Sequence, residues 1–175
     1  MDRIFNFGSL DTEFALDVKP KRLIRESYIL VAHHPIPGED PEELEKALKH
    51  FALGRYESPR YEIVRVASNS DYGKKYGAES YSPEDYINLM RFASCAVGNS
   101  SSLFKEASVL GTSVVSVGSR QEGRLRTGNM VDVICEAERI KGAINFQIQN
   151  TYQPDETYSK PDTAKNIANK IKELT

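Results

Sequence analysis

Apolar residues along the chain alternate between short continuous runs and stripes with helical spacing. "SYILVAHH" (Ser27 to His34) is a near-continuous apolar run, as in a parallel strand buried on both faces. After "IPGED" comes a helix start, with Asp40 as N-cap, Pro41 at the first helical position and Glu43 three residues after the cap. Leu44, Ala47, Leu48 and Phe51 then recur at helical spacing until Gly54 ends the segment. "YEIVRVASN" (Tyr61 to Asn69) predicts a second strand. Ser82 to Phe92 predicts a helix with Tyr86, Leu89, Met90 and Ala93 on its apolar face. Next come strand "SCAVG", helix "SSLFKEASVL", strand "SVVSVG" and strand "MVDVI". A helix over Ala137 to Gln149 follows, then a polar loop with Pro154 and Pro161. The closing helix carries Ala164, Ile167, Ala168, Ile171 and Leu174 on one stripe.

Strands alternating with helices predict an α/β fold, a parallel sheet covered on both faces. In such sheets ligands collect beyond the carboxyl ends of the strands. His33-His34 and Gly98-Asn99-Ser100-Ser101-Ser102 both fall at predicted carboxyl ends. That shared position is the first functional signal.

Composition narrows the function classes. At 175 residues the chain suits one domain able to bury its own core. A net charge of -2 gives no global attraction for nucleic acid, so any basic feature must be local. Cys95 and Cys135 are too few for a disulfide framework and lack metal spacing, which predicts buried thiols in a reducing compartment. With no apolar run of membrane-span length and no signal peptide, the expectation is a soluble, cytoplasmic protein without a membrane partner. No cluster of His, Cys and carboxylates suggests a metal, and no cofactor is expected.

The chemistry-bearing residues each have a plainer reading beside the functional one. Gly98 to Ser102 joins a strand to a helix whose first N–H groups and dipole suit a phosphate, although serine there is equally a helix cap. Glu106, one turn below Ser102, can accept from ribose hydroxyls or simply sit in solvent beside Lys105. Arg120 and Arg124 in "GSRQEGR" offer planar forks for phosphate or carboxylate, or are ordinary loop charges. His34, kept extended by Pro35, can donate to phosphate or work as an acid or base; it also merely ends a strand. "NSDYG" (Asn69 to Gly73) reads as a turn.

Taken together, these segments resemble the carboxyl-terminal half of UDP-N-acetylglucosamine 2-epimerases, particularly the hydrolysing branch of sialic-acid-type sugar synthesis. The segments that carry the resemblance are "FNFGSLDTEF", "ILVAHHP", "VASNSDYG", "DYINLMRFASCAVGNSSSLFKEASVLGTSVVSVGSRQEGR", "GNMVDV" and "TYSKPDTAKNIANKIKEL". Gly98-Asn99-Ser100-Ser101 and Arg120-Gln121-Glu122-Gly123-Arg124 favour the hydrolysing type, since the other branch usually has Asp-Ser-Gly-Gly and Glu-Arg-Pro-Glu there. The resemblance implies a Rossmann-like three-layer domain, the carboxyl-terminal one of a GT-B pair. Residues 1–20 would be the crossover and 161–175 the closing helix, and the amino-terminal catalytic half would be absent. It also implies that Ser100 and Ser101 bind the diphosphate of a UDP-sugar, Glu106 the ribose, and that Arg120 and Arg124 support the phosphate end. His34 would lie near the diphosphate as the catalytic candidate. The reaction implied is elimination of UDP across C1–C2, then hydration that inverts C2. The resemblance further implies a missing partner half in cis or trans and the family's common homodimer. Alone, the chain is expected to bind UDP weakly and catalyse little. A GT-B glycosyltransferase half and a non-catalytic UDP-sugar-binding module are the competing readings.

Three departures from the family pattern stand out. Leu103 replaces a glycine, which would narrow the approach to the serine turn, and Ser113 replaces a proline. Only about ten residues separate Asn69 from Tyr81, short for a parallel crossover.

Overall fold

The computed structural model describes residues 4–54, 60–67 and 78–174. Five parallel strands form one sheet: β1 (Tyr28–Ala32), β2 (Glu62–Arg65), β3 (Cys95–Gly98), β4 (Val114–Val117) and β5 (Met130–Val133), in the order β2-β1-β3-β4-β5. The helices are α1 (Leu10–Asp17), α2 (Glu42–Leu53), α3 (Pro83–Phe92), α4 (Ser102–Leu110), α5 (Ala137–Gln147) and α6 (Thr163–Leu174).

Alternation of side chains along each strand builds two apolar layers. Ile29, Val31, Cys95, Val97, Val115 and Val117 face one way, against Leu44, Leu48 and Phe51 of α2 and Ile140 and Ile144 of α5. Tyr28, Leu30, Ala32, Ala96 and Val114 face the other way, against Leu89 and Met90 of α3 and Leu103, Phe104 and Ala107 of α4. The continuous apolar run of β1 is therefore explained, because all five of its residues are buried. This is the parallel sheet covered on both faces that the alternation predicts, in the Rossmann-like three-layer α/β/α arrangement that the resemblance implies.

Local signals behave largely as the sequence predicts, with informative exceptions. The Asp40 carboxylate accepts from the Glu42 N–H at 2.9 Å, so it caps α2 although the regular turn starts after Pro41. Glu43 does not reach back to close a capping box; it accepts from the Ala137 N–H at 2.9 Å and so anchors the start of α5. Helix α1 lies inside the stretch read as a crossover, and Arg91 ties it down by donating to the Ala15 and Val18 carbonyls at 3.0 and 3.1 Å. Between β4 and β5 the chain crosses by a loop without a helix, pinned where the Arg126 guanidinium sits 4.9 Å from the centre of the Phe104 ring. The "NSDYG" turn, the end of the predicted second strand and most of the short crossover from Asn69 lie outside the described residues. On the far side of the crossover, Glu79 pairs in parallel with Val66, so the chain returns along the edge strand.

Strand order places the topological switch between β1 and β3. From β1 the chain steps outward to β2, then crosses back to β3 on the opposite side of β1. The register pairs Ala32 with Gly98, so the two strands end level and open one crevice.

Candidate functional site

Gly98 makes that crevice possible. It has φ +140°, and a Cβ built there would stand 2.2 Å from the Ala32 carbonyl oxygen. Without a side chain, the backbone turns sharply, and the Asn99 and Ser100 N–H groups both donate to Ala32 O at 3.1 Å. Among the described residues no group accepts from the Ser101 or Ser102 N–H, leaving the start of α4 with open donors. Ser101 makes no side-chain cap, so the plain reading of the serines as caps is not what the geometry displays.

Asn99 is fully buried and ties together the ends of three strands. Its amide accepts from the His34 N–H at 2.7 Å and donates to the His34 carbonyl at 2.8 Å. Its own carbonyl accepts from Arg120 Nη1 at 2.8 Å and from Gln121 Nε2 at 2.7 Å. His34, Arg120 and the serine turn are therefore held in one constellation by a single asparagine. Gln121, though placed between charged residues, is buried because its amide serves this carbonyl. Neither Asn99 nor Gln121 was singled out from sequence beyond its place in a motif. A polar residue immediately after a strand-ending glycine was the available signal.

The hydroxyls form a second group. The Tyr86 hydroxyl lies 2.5 Å from Ser102 Oγ, and Ser102 Oγ lies 2.9 Å from Ser100 Oγ. Burial pushes the Tyr86 phenol up to about 12. One turn further on, Glu106 has a buried Oε2 with no partner, and burial raises its carboxyl above the usual range despite Lys105. A buried carboxylate oxygen without a donor is a ready acceptor for a ligand hydroxyl.

Leu103 is fully buried in the apolar layer of α3 and α4, so it does not narrow the approach to the turn as its replacement of glycine suggested. Ser113 donates to the Asn150 carbonyl at 3.1 Å, a bond proline lacks. Arg120 joins the constellation, whereas the Arg124 side chain is exposed. Arg126 is structural: it pairs with Asp132 at 2.7 Å and donates to the Gln121 and Arg124 carbonyls.

Histidine protonation is tuned by the same packing. Burial first, then Arg120, lowers the His34 pKa, so at neutral pH it is an uncharged imidazole. Burial, with His34 and Arg120 adding, lowers that of His33 to about 4. The folded value lies below the ordinary 6.5, so the unfolded chain takes the proton first. This contribution to stability is complete above the ordinary value and is lost as pH falls towards 4. Between pH 7 and pH 5 the expected loss is about 2 kcal/mol, read as the difference in urea-unfolding free energy between wild type and His33→Gln. Equal pH slopes for the two proteins would refute this origin.

A cavity of about 630 Å³ lies along the ends of β4 and β5, beside the switch-point crevice. Among the described residues Glu39, Asp40, Glu122, Asp132 and Glu136 line it with only Arg126 as a cation, which disfavours a diphosphate. Cys135 stands at its edge, half-buried, donating to the Asp40 carbonyl, its thiol pushed up to about 11 by burial and nearby carboxylates. Cys95, by contrast, is fully buried. Among the described residues no cluster of His, Cys, Asp and Glu is arranged to hold a metal. No helix there is long and apolar enough to cross a membrane.

Comparison with known proteins supplies the context for this site. The family described as UDP-N-acetylglucosamine 2-epimerase matches residues 1–172. The polysialic acid biosynthesis protein P7 of Escherichia coli is 27% identical over 174 residues, covering 82% of this chain and 43% of that protein. The GDP/UDP-N,N'-diacetylbacillosamine 2-epimerase (hydrolyzing) of Campylobacter jejuni is 28% identical over 160 residues, 74% of this chain and 41% of that protein. In fold, the chain matches MnaA of S. aureus in a co-structure with UDP, with TM-score 0.65 and 16% identity, covering 99% of this chain and 49% of that one. It thus spans less than half the length of each of these relatives.

Proposed function

The chain belongs to the UDP-N-acetylglucosamine 2-epimerase family, and from that premise we propose that it is the nucleotide-binding half of a hydrolysing UDP-sugar 2-epimerase. The observation that carries the proposal is the switch-point crevice. It sets open N–H donors and serine hydroxyls at a helix start, a fixed guanidinium beside them, and an unpartnered carboxylate oxygen one turn along. A diphosphate needs the first two and a ribose diol needs the third.

In this reading the Ser100 and Ser101 hydroxyls and the open N–H groups of α4 hold the diphosphate, helped by the positive end of the helix. Arg120 adds charge from a guanidinium whose other face is committed to Asn99. Arg124, exposed on the same loop, is assigned to the phosphate end as well. Glu106 accepts from the ribose hydroxyls. His34, neutral and half-buried, faces the diphosphate as a donor. Elimination across C1–C2 releases UDP as an anion, and donors already aimed at it lower that barrier without reorganising. Water then adds to the glycal-like product with inversion at C2. Carboxylates for the C2 proton and the water belong to a second half, which this chain joins in cis or in trans.

The closing helix supports such a partner. Of α6 only Thr163 is buried, while Leu174 remains 69% exposed on its apolar stripe.

The test joins the chain to the amino-terminal half of a hydrolysing relative and supplies UDP-N-acetylglucosamine. Release of UDP and free N-acetylmannosamine is expected. Transfer of the sugar to an acceptor, with retention of C2, would make the chain a transferase half instead.

A further inference from the structure

The hydroxyl chain from Tyr86 to Ser100 has a direction. Tyr86 Oη has Ser102 Oγ at 2.5 Å, and Ser102 Oγ has Ser100 Oγ at 2.9 Å. Each hydroxyl carries one hydrogen, and Ser100 is also within reach of the phenol, so the three either close a ring among themselves or leave one hydrogen free for the crevice. Among the described residues Tyr86 has only these serines for hydrogen-bond partners. In the ring the phenol donates to Ser100, Ser100 to Ser102 and Ser102 to the phenol, which turns the Ser100 hydrogen away from the crevice. With an acceptor in the crevice to take the Ser100 hydrogen, the outward chain uses every hydrogen: Tyr86 donates to Ser102 and Ser102 donates to Ser100. Burial, which holds the phenol up to about 12, keeps Tyr86 a protonated donor at any working pH.

We propose that Tyr86 is a positioning residue for anion binding: acting through Ser102, it fixes the Ser100 hydroxyl as a donor aimed at the phosphate of the ligand. The inference rests on the reading of this crevice as a UDP site and goes beyond it, by assigning roles to two side chains, those of Tyr86 and Ser102, that do not touch the ligand. It also gives the Ser102 side chain a task other than helix capping. Cooperative polarisation along the chain strengthens the terminal donor, and the ligand must present a pure acceptor there. A phosphate oxygen does so; a neutral hydroxyl gains much less.

Tyr86→Phe removes one oxygen and keeps the ring among its apolar neighbours. UDP would be titrated by calorimetry, and uridine by NMR, into wild type, Tyr86→Phe, Ser102→Ala and the double variant. Thermal unfolding of the ligand-free proteins would be recorded alongside. Tyr86→Phe is expected to weaken UDP roughly five- to tenfold, the scale of one hydrogen bond between neutral groups, and to leave uridine unchanged. In the Ser102→Ala background the same substitution should have almost no effect on UDP, because the relay is already cut. Wild type that binds UDP alongside an unaffected Tyr86→Phe overturns the positioning role alone. Equal loss of UDP and uridine with a lowered unfolding midpoint also overturns it, as a structural effect. Wild type that binds no UDP removes the site reading, and the inference with it.

Discussion

Gly98→Ala is expected to be the most damaging single substitution in this chain. The added Cβ would meet the Ala32 carbonyl oxygen at 2.2 Å, and the backbone there has a φ of +140° that L side chains rarely adopt. Neither strand can retreat, because Ala32 and Gly98 are register partners in the middle of the sheet. The Ala32 carbonyl is also the acceptor for the Asn99 and Ser100 N–H groups, so any shift opens the turn itself. Steric overlap and backbone strain together should cost about 4 kcal/mol or more. For a chain of this size that corresponds to a fall of roughly 8–16 °C in the unfolding midpoint. Thermal or urea unfolding checks it, and a loss below about 1 kcal/mol would contradict the close approach of the two strands.

Asn99→Asp should come second, and its effect should depend on pH. Aspartate keeps the acceptor for the His34 N–H but loses the donor to the His34 carbonyl. At pH 7 it sets a carboxylate against that carbonyl oxygen in a fully buried position. Removing the compensation of a buried polar group or charge costs about 3–5 kcal/mol, and the nearby Arg120 guanidinium brings the expected value to about 3 kcal/mol. Protonation restores a donor, so the penalty should shrink as pH falls. Unfolding free energies for wild type and variant at neutral and mildly acidic pH give the comparison. A penalty that does not change with pH would mean that the amide donor is unimportant. Affinity for UDP should fall as well, since the variant places negative charge beside a diphosphate.

Fold and site were legible to different degrees, for physical reasons. β1, α2 and α3 were readable because their burial patterns match their own periodicities. Helix α1 was not: Leu10 and Leu16 are exposed, only Thr12 and Ala15 are buried, and contacts distant in sequence hold it. One of those contacts pairs Lys105 with Asp11. Strand order was also beyond the local pattern, yet it decides which two strand ends form the crevice. Serines, Glu106 and Arg120 stood out in sequence because strand-end position and side-chain chemistry coincide there. Asn99 did not, since its partners lie 65 and 21 residues away and its task exists only once β1, β3 and β4 lie side by side. Tyr86 was read correctly as part of an apolar face, but its buried phenol implied a partner that periodicity does not reveal. Leu103 taught the opposite lesson: a departure from a family pattern pointed at the site, whereas the side chain turned into the core.

The central claim is that the switch-point crevice binds the nucleotide part of a UDP-sugar. Apolar layers pack on both faces of the sheet, so the chain can be tested as it stands. Calorimetric titration of UDP into the wild-type chain and into Glu106→Ala is the most direct measurement. Saturable binding is expected, with a dissociation constant between about 1 µM and 1 mM, weakened roughly tenfold by Glu106→Ala at an unchanged unfolding midpoint. Absence of saturable binding across that range, or equal affinity in the variant, would contradict the account.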